Sequence, residues 1–170
     1  KGIKVDDAGN VYVTGFITTP SEGRNMVLLK YTSNGTQMWE RFYNGQANAD
    51  DEGVQLAIRN DNTVFITGAA QNNSGDIDIQ TLGYKSNGDL YTQATYIGVL
   101  GLEDRPTGIT FDMDDGLVVV GKTELQNGSY QNLVIRYKLY EKPFDPVFEN
   151  GEPKYNANEV IIRFDRSAVK

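Results

Sequence analysis

The heptapeptide Gly9-Asn10-Val11-Tyr12-Val13-Thr14-Gly15 returns as Asn62-Thr63-Val64-Phe65-Ile66-Thr67-Gly68 and again as Asp115-Gly116-Leu117-Val118-Val119-Val120-Gly121, at a constant offset of 53 (68 − 15 = 121 − 68 = 53). A fixed period of this kind means a chain built from repeated structural units, and it restricts the fold before any single motif is read. The same offset relates Tyr31, Tyr84 and Tyr137, then Gly45, Gly98 and Gly151, and also Ile3, Leu56, Ile109 and Ile162. Three whole units and the opening of a fourth therefore fill the 170 residues.

Each unit holds four short apolar segments, at 3–6, 10–16, 26–32 and 37–43 in the first, 56–59, 63–69, 79–85 and 90–96 in the second, and 109–112, 116–122, 132–138 and 143–149 in the third. They are rich in β-branched and aromatic residues and bounded by Gly, Asn, Asp or Pro, which marks strands and turns. No segment of helical length repeats apolar residues at helical spacing, so the chain is expected to be all-β. Val11 and Val13 fall on one side of a strand with Tyr12 on the other, and Leu29 and Tyr31 face away from Leu28. Sheets apolar on both faces must be covered on both. Four-stranded antiparallel units stacked face to face are the blades of a β-propeller.

The Gly-Gly pair of kelch repeats and the Gly-His and Trp-Asp signatures of WD repeats are missing. In their place the first unit has Asp6, Gly9 through Gly15, Asn25, Lys30, Tyr31, Asn34, Gly35, Trp39, Tyr43 and Gly45. The second keeps Asn62, Val64, Thr67, Gly68, Asp78, Tyr84, Asn87, Gly88, Tyr96 and Gly98, with Thr92 at the Trp position. The third departs most, with Tyr140-Glu141 replacing the Asn-Gly turn and Glu149 replacing the exit Tyr. Over residues 2 to 152 this pattern resembles the bacterial β-propeller repeat abbreviated SBBP. The resemblance implies a secreted or cell-surface bacterial repeat protein, and it implies no known catalytic residues.

On that reading, residues 1–158 are three blades (3–55, 56–108 and 109–158), and 159–170 open a further blade or begin another domain. Propellers typically close with about four to eight blades, so the chain is expected to be part of a larger ring. A further chain or second copy then covers apolar end faces carrying Val11, Val13 and Leu29 at one end and Leu133 and Ile135 at the other. The start at Lys1 rather than Met reads as a processed or truncated end.

Composition narrows the chemistry. A net charge of −7 argues against nucleic acid and anionic membrane as partners, and no apolar run is long enough to insert in a bilayer. With no Cys and no His, thiol nucleophiles, Ser-His-Asp triads and zinc sites built on those residues are excluded within this chain. Carboxylates remain. Asp76, Asp78, Asp112, Asp114 and Asp115 are spaced as calcium ligands could be, although no EF-hand loop is complete. The same residue type equally caps tight turns. The Asn-Gly-Thr, Asn-Asn-Ser and Asn-Gly-Ser triplets at 34–36, 72–74 and 127–129 fit both an N-glycosylation pattern and type I′ hairpin turns.

Strand alternation places the turns 7–9, 33–35, 60–62, 86–88 and 113–115 on one rim. The longer connections 17–24, 44–53, 70–77, 97–106, 123–131 and 150–158 share the other. Binding residues concentrate in the loops of rigid scaffolds, so the long-loop rim is the expected binding surface, with Asp51, Glu52, Glu103, Asp104, Tyr130 and Tyr155 as candidates. Trp39, Tyr31, Tyr84 and Tyr137 recur within strands and are expected to pack between blades. The functional expectation is a non-catalytic binding module for glycan or protein, without cofactor. A structural spacer of a larger adhesin or secreted enzyme, and a carbohydrate-active enzyme using the loop carboxylates, are the alternatives.

Overall fold

The computed structural model describes residues 1–98, 100–141, 147–149, 152–154 and 160–164, with side chains described as far as residue 139. All its regular structure is β, and no helix among the described residues could cross a membrane. The first sheet runs in the order β1 (Gly2–Val5), β2 (Val11–Thr19), β3 (Gly23–Tyr31), β4 (Gln37–Tyr43), and the second β5 (Asp51–Ile58), β6 (Val64–Gln71), β7 (Ile77–Tyr84), β8 (Leu90–Tyr96). The third holds β9 (Asp104–Phe111), β10 (Leu117–Glu124) and β11 (Tyr130–Glu141), while β12 (Val147–Glu149) and β13 (Glu152–Lys154) form a separate hairpin. β14 (Val160–Phe164) is the fourth strand of the third sheet, beside β11. All pairings are antiparallel, and each sheet is open.

The 53-residue offset is preserved in the register. Val11 pairs with Tyr31, Val64 with Tyr84 and Leu117 with Tyr137. Left-handed backbone recurs at Gly9, Asn62 and Asp115, with φ of 82°, 63° and 60°. Glycine is retained at 68 and 121 for want of space: a Cβ there would lie 2.3 Å from the carbonyl oxygen of Glu52 and 2.2 Å from that of Arg105, respectively. Those two carbonyls are themselves 53 residues apart, on the strand that opens each sheet.

The sheets stack through their faces. Tyr12, Met26 and Leu28 of the first meet Leu56, Val64, Ile66, Leu82 and Tyr84 of the second in one buried cluster, edged by Trp39 and Tyr43. Phe65 and Ile79 on the opposite face of the second meet Leu117, Val119, Leu133, Ile135 and Tyr137 of the third. Tyr84 and Tyr137 are thus packed between sheets, as expected. Trp39 sits edge-on to Tyr12 at 5.9 Å and donates to the Ser86 carbonyl at 3.1 Å.

Four expectations differ from this arrangement. Leu133 and Ile135 are 5% and 0% exposed and face inward, because side chains alternate along β11 and the outward set is Val134 and Arg136. The first strands of the second and third units begin at Asp51 and Asp104, five residues before their apolar runs, because both leading aspartates are buried. The connections expected at 17–24, 70–77 and 123–131 are tight hairpins, since β2, β3, β6, β7, β10 and β11 extend into them. β11 runs on through Glu141 where Tyr140-Glu141 replaces the Asn-Gly turn, so 143–149 does not supply the fourth strand and β14 does.

The Asn-Gly turns also differ in type. Type I′ needs positive φ at both central residues, yet at 34–35 only Gly35 is left-handed, at 86°. The Thr32 N–H donates to Thr36 and the Gly35 N–H to Thr32, closing a longer loop.

Candidate functional site

Along β7, residues two apart share a face. Leu82 and Tyr84 on the face toward the first sheet lie in the shared core. Asp78 and Gln80 continue that face toward the rim, where the apolar packing gives out into a cavity of about 390 Å³. Its walls come from Tyr43, Gly45 and Gln46 at the exit of the first unit, from 70–74 of the β6–β7 hairpin, and from Thr95 and Ile97 at the end of the second unit. These segments belong to the rim expected to carry binding.

The polar groups in the cavity are held in place. Tyr43 and Thr95 hydroxyls donate to the Gln80 Oε1 at 3.2 and 2.7 Å. The Asn72 Nδ2 donates to Asp78 Oδ2 at 3.0 Å, while Asn72 Oδ1 accepts from the backbone of Ser74 and Asp76 and so shapes the hairpin tip. Asp78 Oδ1 is buried and has no hydrogen-bond partner among the described residues. Burial pushes the Asp78 carboxyl above its ordinary value; the Asn72 bond opposes this, and the nearby Asp104 and Asp76 charges reinforce it. Burial also raises the Tyr43 hydroxyl.

The expected site residues divide. Asp51 and Asp104 are 1% and 0% exposed and do not form a binding surface. Each ties down the connection that precedes it. The Gly45 N–H donates to Asp51 Oδ2 at 2.5 Å and the Gly98 N–H to Asp104 Oδ2 at 2.6 Å, a pair of bonds again 53 residues apart. The Gln71 N–H donates to the other oxygen of Asp51 at 3.1 Å. Burial raises both carboxyls, against the opposing pull of these bonds.

Glu52 is engaged by Lys1 at 2.7 Å and Arg24 at 3.7 Å. Glu103 and Tyr130 do come together, the Tyr130 hydroxyl donating to Glu103 Oε1 at 3.1 Å, with Arg105 on the same carboxylate at 2.7 Å and Lys122 over the Tyr130 ring. Tyr155 lies outside the described residues. Of the calcium candidates, Asp112 is bonded to Arg136 at 2.5 Å and caps its own turn through the Gly116 and Asp114 N–H groups. The Arg136 bond leads in holding its carboxyl down at about 2. Asp115 is paired with Arg59, and Asp114 lies 3.7 Å from Arg136. Among the described residues no three His, Cys, Asp or Glu side chains converge as a metal site.

Gln80, Tyr43, Asn72 and Thr95 are not among the expected site residues. A signal for Gln80 exists in the repeat, whose other units carry Val27 and Leu133 at that position. No protein-family model matches the chain. No curated protein matches it at a significant level either.

Proposed function

We propose that the chain is a three-blade portion of a β-propeller of the SBBP type and acts as a non-catalytic binding module of a secreted or cell-surface bacterial protein. Its ligand, glycan or protein, is held on the rim formed by the β2–β3, β6–β7 and unit-to-unit connections. The observation that carries this reading is the cavity between the first two sheets, in which Asp78, Gln80, Asn72 and Tyr43 converge on a rigid support. Concave sites with a few fixed polar groups are where small ligands are taken up, in cavities of about 300–1,000 Å³. The reading needs neither cofactor nor metal. The enzymatic alternative loses two of its four carboxylates, because Asp51 and Asp104 are buried and bonded to backbone.

A glycan-array screen of the 170-residue chain tests this, repeated with Gln46→Arg and Asn73→Arg at the exposed mouth of the cavity. The expected result is capture of a limited set of glycans, reduced by both substitutions with thermal stability unchanged, as surface substitutions usually leave it. A chain that captures no glycan and no protein partner acts as a spacer instead.

A further inference from the structure

The interior position on the third strand of each unit is Val27 in the first and Leu133 in the third, yet the second unit places Gln80 there (80 − 27 = 133 − 80 = 53). Two residues earlier the three units carry Asn25, Asp78 and Gln131. The second unit therefore departs from the period toward a carboxylate and an amide at two positions on one face of one strand. Both side chains are deeply placed, with Gln80 2% and Asp78 4% exposed. Polar groups in such positions work against folding unless they are bonded. The hydrogen bonds they make are only partly complete: Asp78 uses Oδ2 toward Asn72 and leaves Oδ1 without a partner among the described residues. At Gln80 both bonds, from Tyr43 and Thr95, end on the oxygen, and this leaves the amide N–H pair as a donor whose orientation is fixed.

One wall of the cavity is thus lined by the Asp78 carboxylate, one of whose oxygens lies beneath the surface without a partner among the described residues, and, two residues along the strand, by the Gln80 amide donor. A hydroxyl meets both needs, because it donates and accepts, whereas an ammonium only donates and an ionised carboxylate only accepts. The remaining polar lining is of the same kind, with Gln46, Gln71, Asn73 and Ser74 and neither Lys nor Arg. The Asp76 and Asp104 charges near Asp78 oppose an anionic ligand. Ala70 and Ile97 supply apolar surface for C–H groups.

From this we infer that the cavity receives a neutral sugar ring, one hydroxyl donating to the Asp78 carboxylate and a second oxygen of the same sugar accepting from the Gln80 amide. This rests on the binding-module reading and narrows its ligand class. Calorimetric titration of the 170-residue chain with cellobiose, lactose, chitobiose and any neutral glycan captured on the array tests it, with spermidine and glucuronate as cationic and anionic controls. A neutral saccharide should bind and the controls should not. Gln80→Leu and Asp78→Asn should each weaken binding by about tenfold or more, the effect of losing one hydrogen bond to a buried partner. Gln80→Leu installs the residue of the third unit but removes the acceptor of the Tyr43 and Thr95 hydroxyls, so its titration is accompanied by a circular-dichroism check that the chain is folded, and Asp78→Asn serves as the independent variant. Binding of spermidine in place of sugar overturns the inference, as does sugar binding left intact in a folded Gln80→Leu chain. A glycan captured by the rim yet insensitive to both substitutions overturns it while the binding-module reading stands. Absence of any capture overturns both.

Discussion

Asp51 and Asp104 show how a single residue fixes a connection. Each is a carboxylate taken out of water to accept backbone N–H groups from the segment before it, so removing the carboxylate leaves those buried donors without a partner. Asp51→Ala and Asp104→Ala are expected to destabilise by about 1–3 kcal/mol each, measured as a shift in the urea midpoint; an unchanged midpoint would return these residues to the surface role that the sequence suggested. That role was misread because acidic residues are usually solvated, and the N–H groups that bond Asp51 come from Gly45 and Gln71, whose proximity no local pattern reveals. The buried carboxyls also set a pH dependence. Asp51, Asp78 and Asp104 are raised from an ordinary value of 3.8, chiefly by burial. Between that value and their raised ones the folded chain binds more protons than the unfolded chain, so their contribution is full below the window and is lost as pH rises through it. Asp6, Asp50, Glu103 and Asp112 are lowered, and the stability they confer is lost as pH falls below the ordinary carboxylate range. Stability should therefore rise as pH falls through the raised values of these three carboxyls toward the ordinary carboxylate range, and fall below that range. Urea midpoints across both pH ranges check the sign, and Asp78→Asn should flatten part of the rise. A midpoint falling steadily from neutral pH would contradict the raised carboxyls.

At the scale of the strand, the apolar pattern predicts the β elements because the residues that recur every 53 positions are those that meet across sheets. Tyr84 is 5% exposed among Tyr12, Leu28, Leu56 and Leu82. Tyr84→Ala should cost on the order of 3 kcal/mol through the cavity it leaves, read by thermal or urea unfolding; a cost near zero would mean that the two sheets close over the gap. Gly68 is constrained in the opposite sense, since the Met26 side chain and the Glu52 carbonyl occupy the space of a Cβ. Gly68→Ala should destabilise by about 1–3 kcal/mol, whereas Gly35→Ala, with open space but a φ of 86°, meets only backbone strain. Equal effects at the two positions would show that packing is not what preserves Gly68. The face to which each strand residue points was harder to read. Leu133 and Val134 are equally apolar, and only the pairing of β11 with β10 decides that the first is interior. The cavity was harder still, because it forms where core packing gives out between two sheets. Its clearest trace in the sequence is the departure of Gln80 from Val27 and Leu133.

Across the whole molecule, the stacking has a direction. The face of the second sheet that carries Val64, Ile66 and Leu82 is covered by the first sheet, and the equivalent face of the third, with Leu117, Val119 and Ile135, is covered by the second. In the first sheet the same positions are Val11, Val13 and Leu29, half-buried, with Ile3, Val5 and Phe42 exposed at 63%, 59% and 49% on that face. An outward surface whose two internal counterparts are both interfaces is suited to another sheet of the same kind. The opposite end offers Val118, Val120 and Val134 with Lys122 and Arg136, a more polar surface. Contiguous apolar patches of this extent are uncommon on stable monomers. The isolated 170 residues are therefore expected to associate through the outer face of the first sheet, with light scattering giving a mass above one chain at concentrations on the order of tens of micromolar. Ile3→Lys with Val5→Lys should return the mass toward a single chain without lowering the unfolding midpoint, because both side chains are largely in water in the single chain. A wild-type chain that stays monomeric and binds no hydrophobic dye would mean that this face is tolerated bare. The stack of three would then be a unit complete in itself rather than a portion of a larger ring.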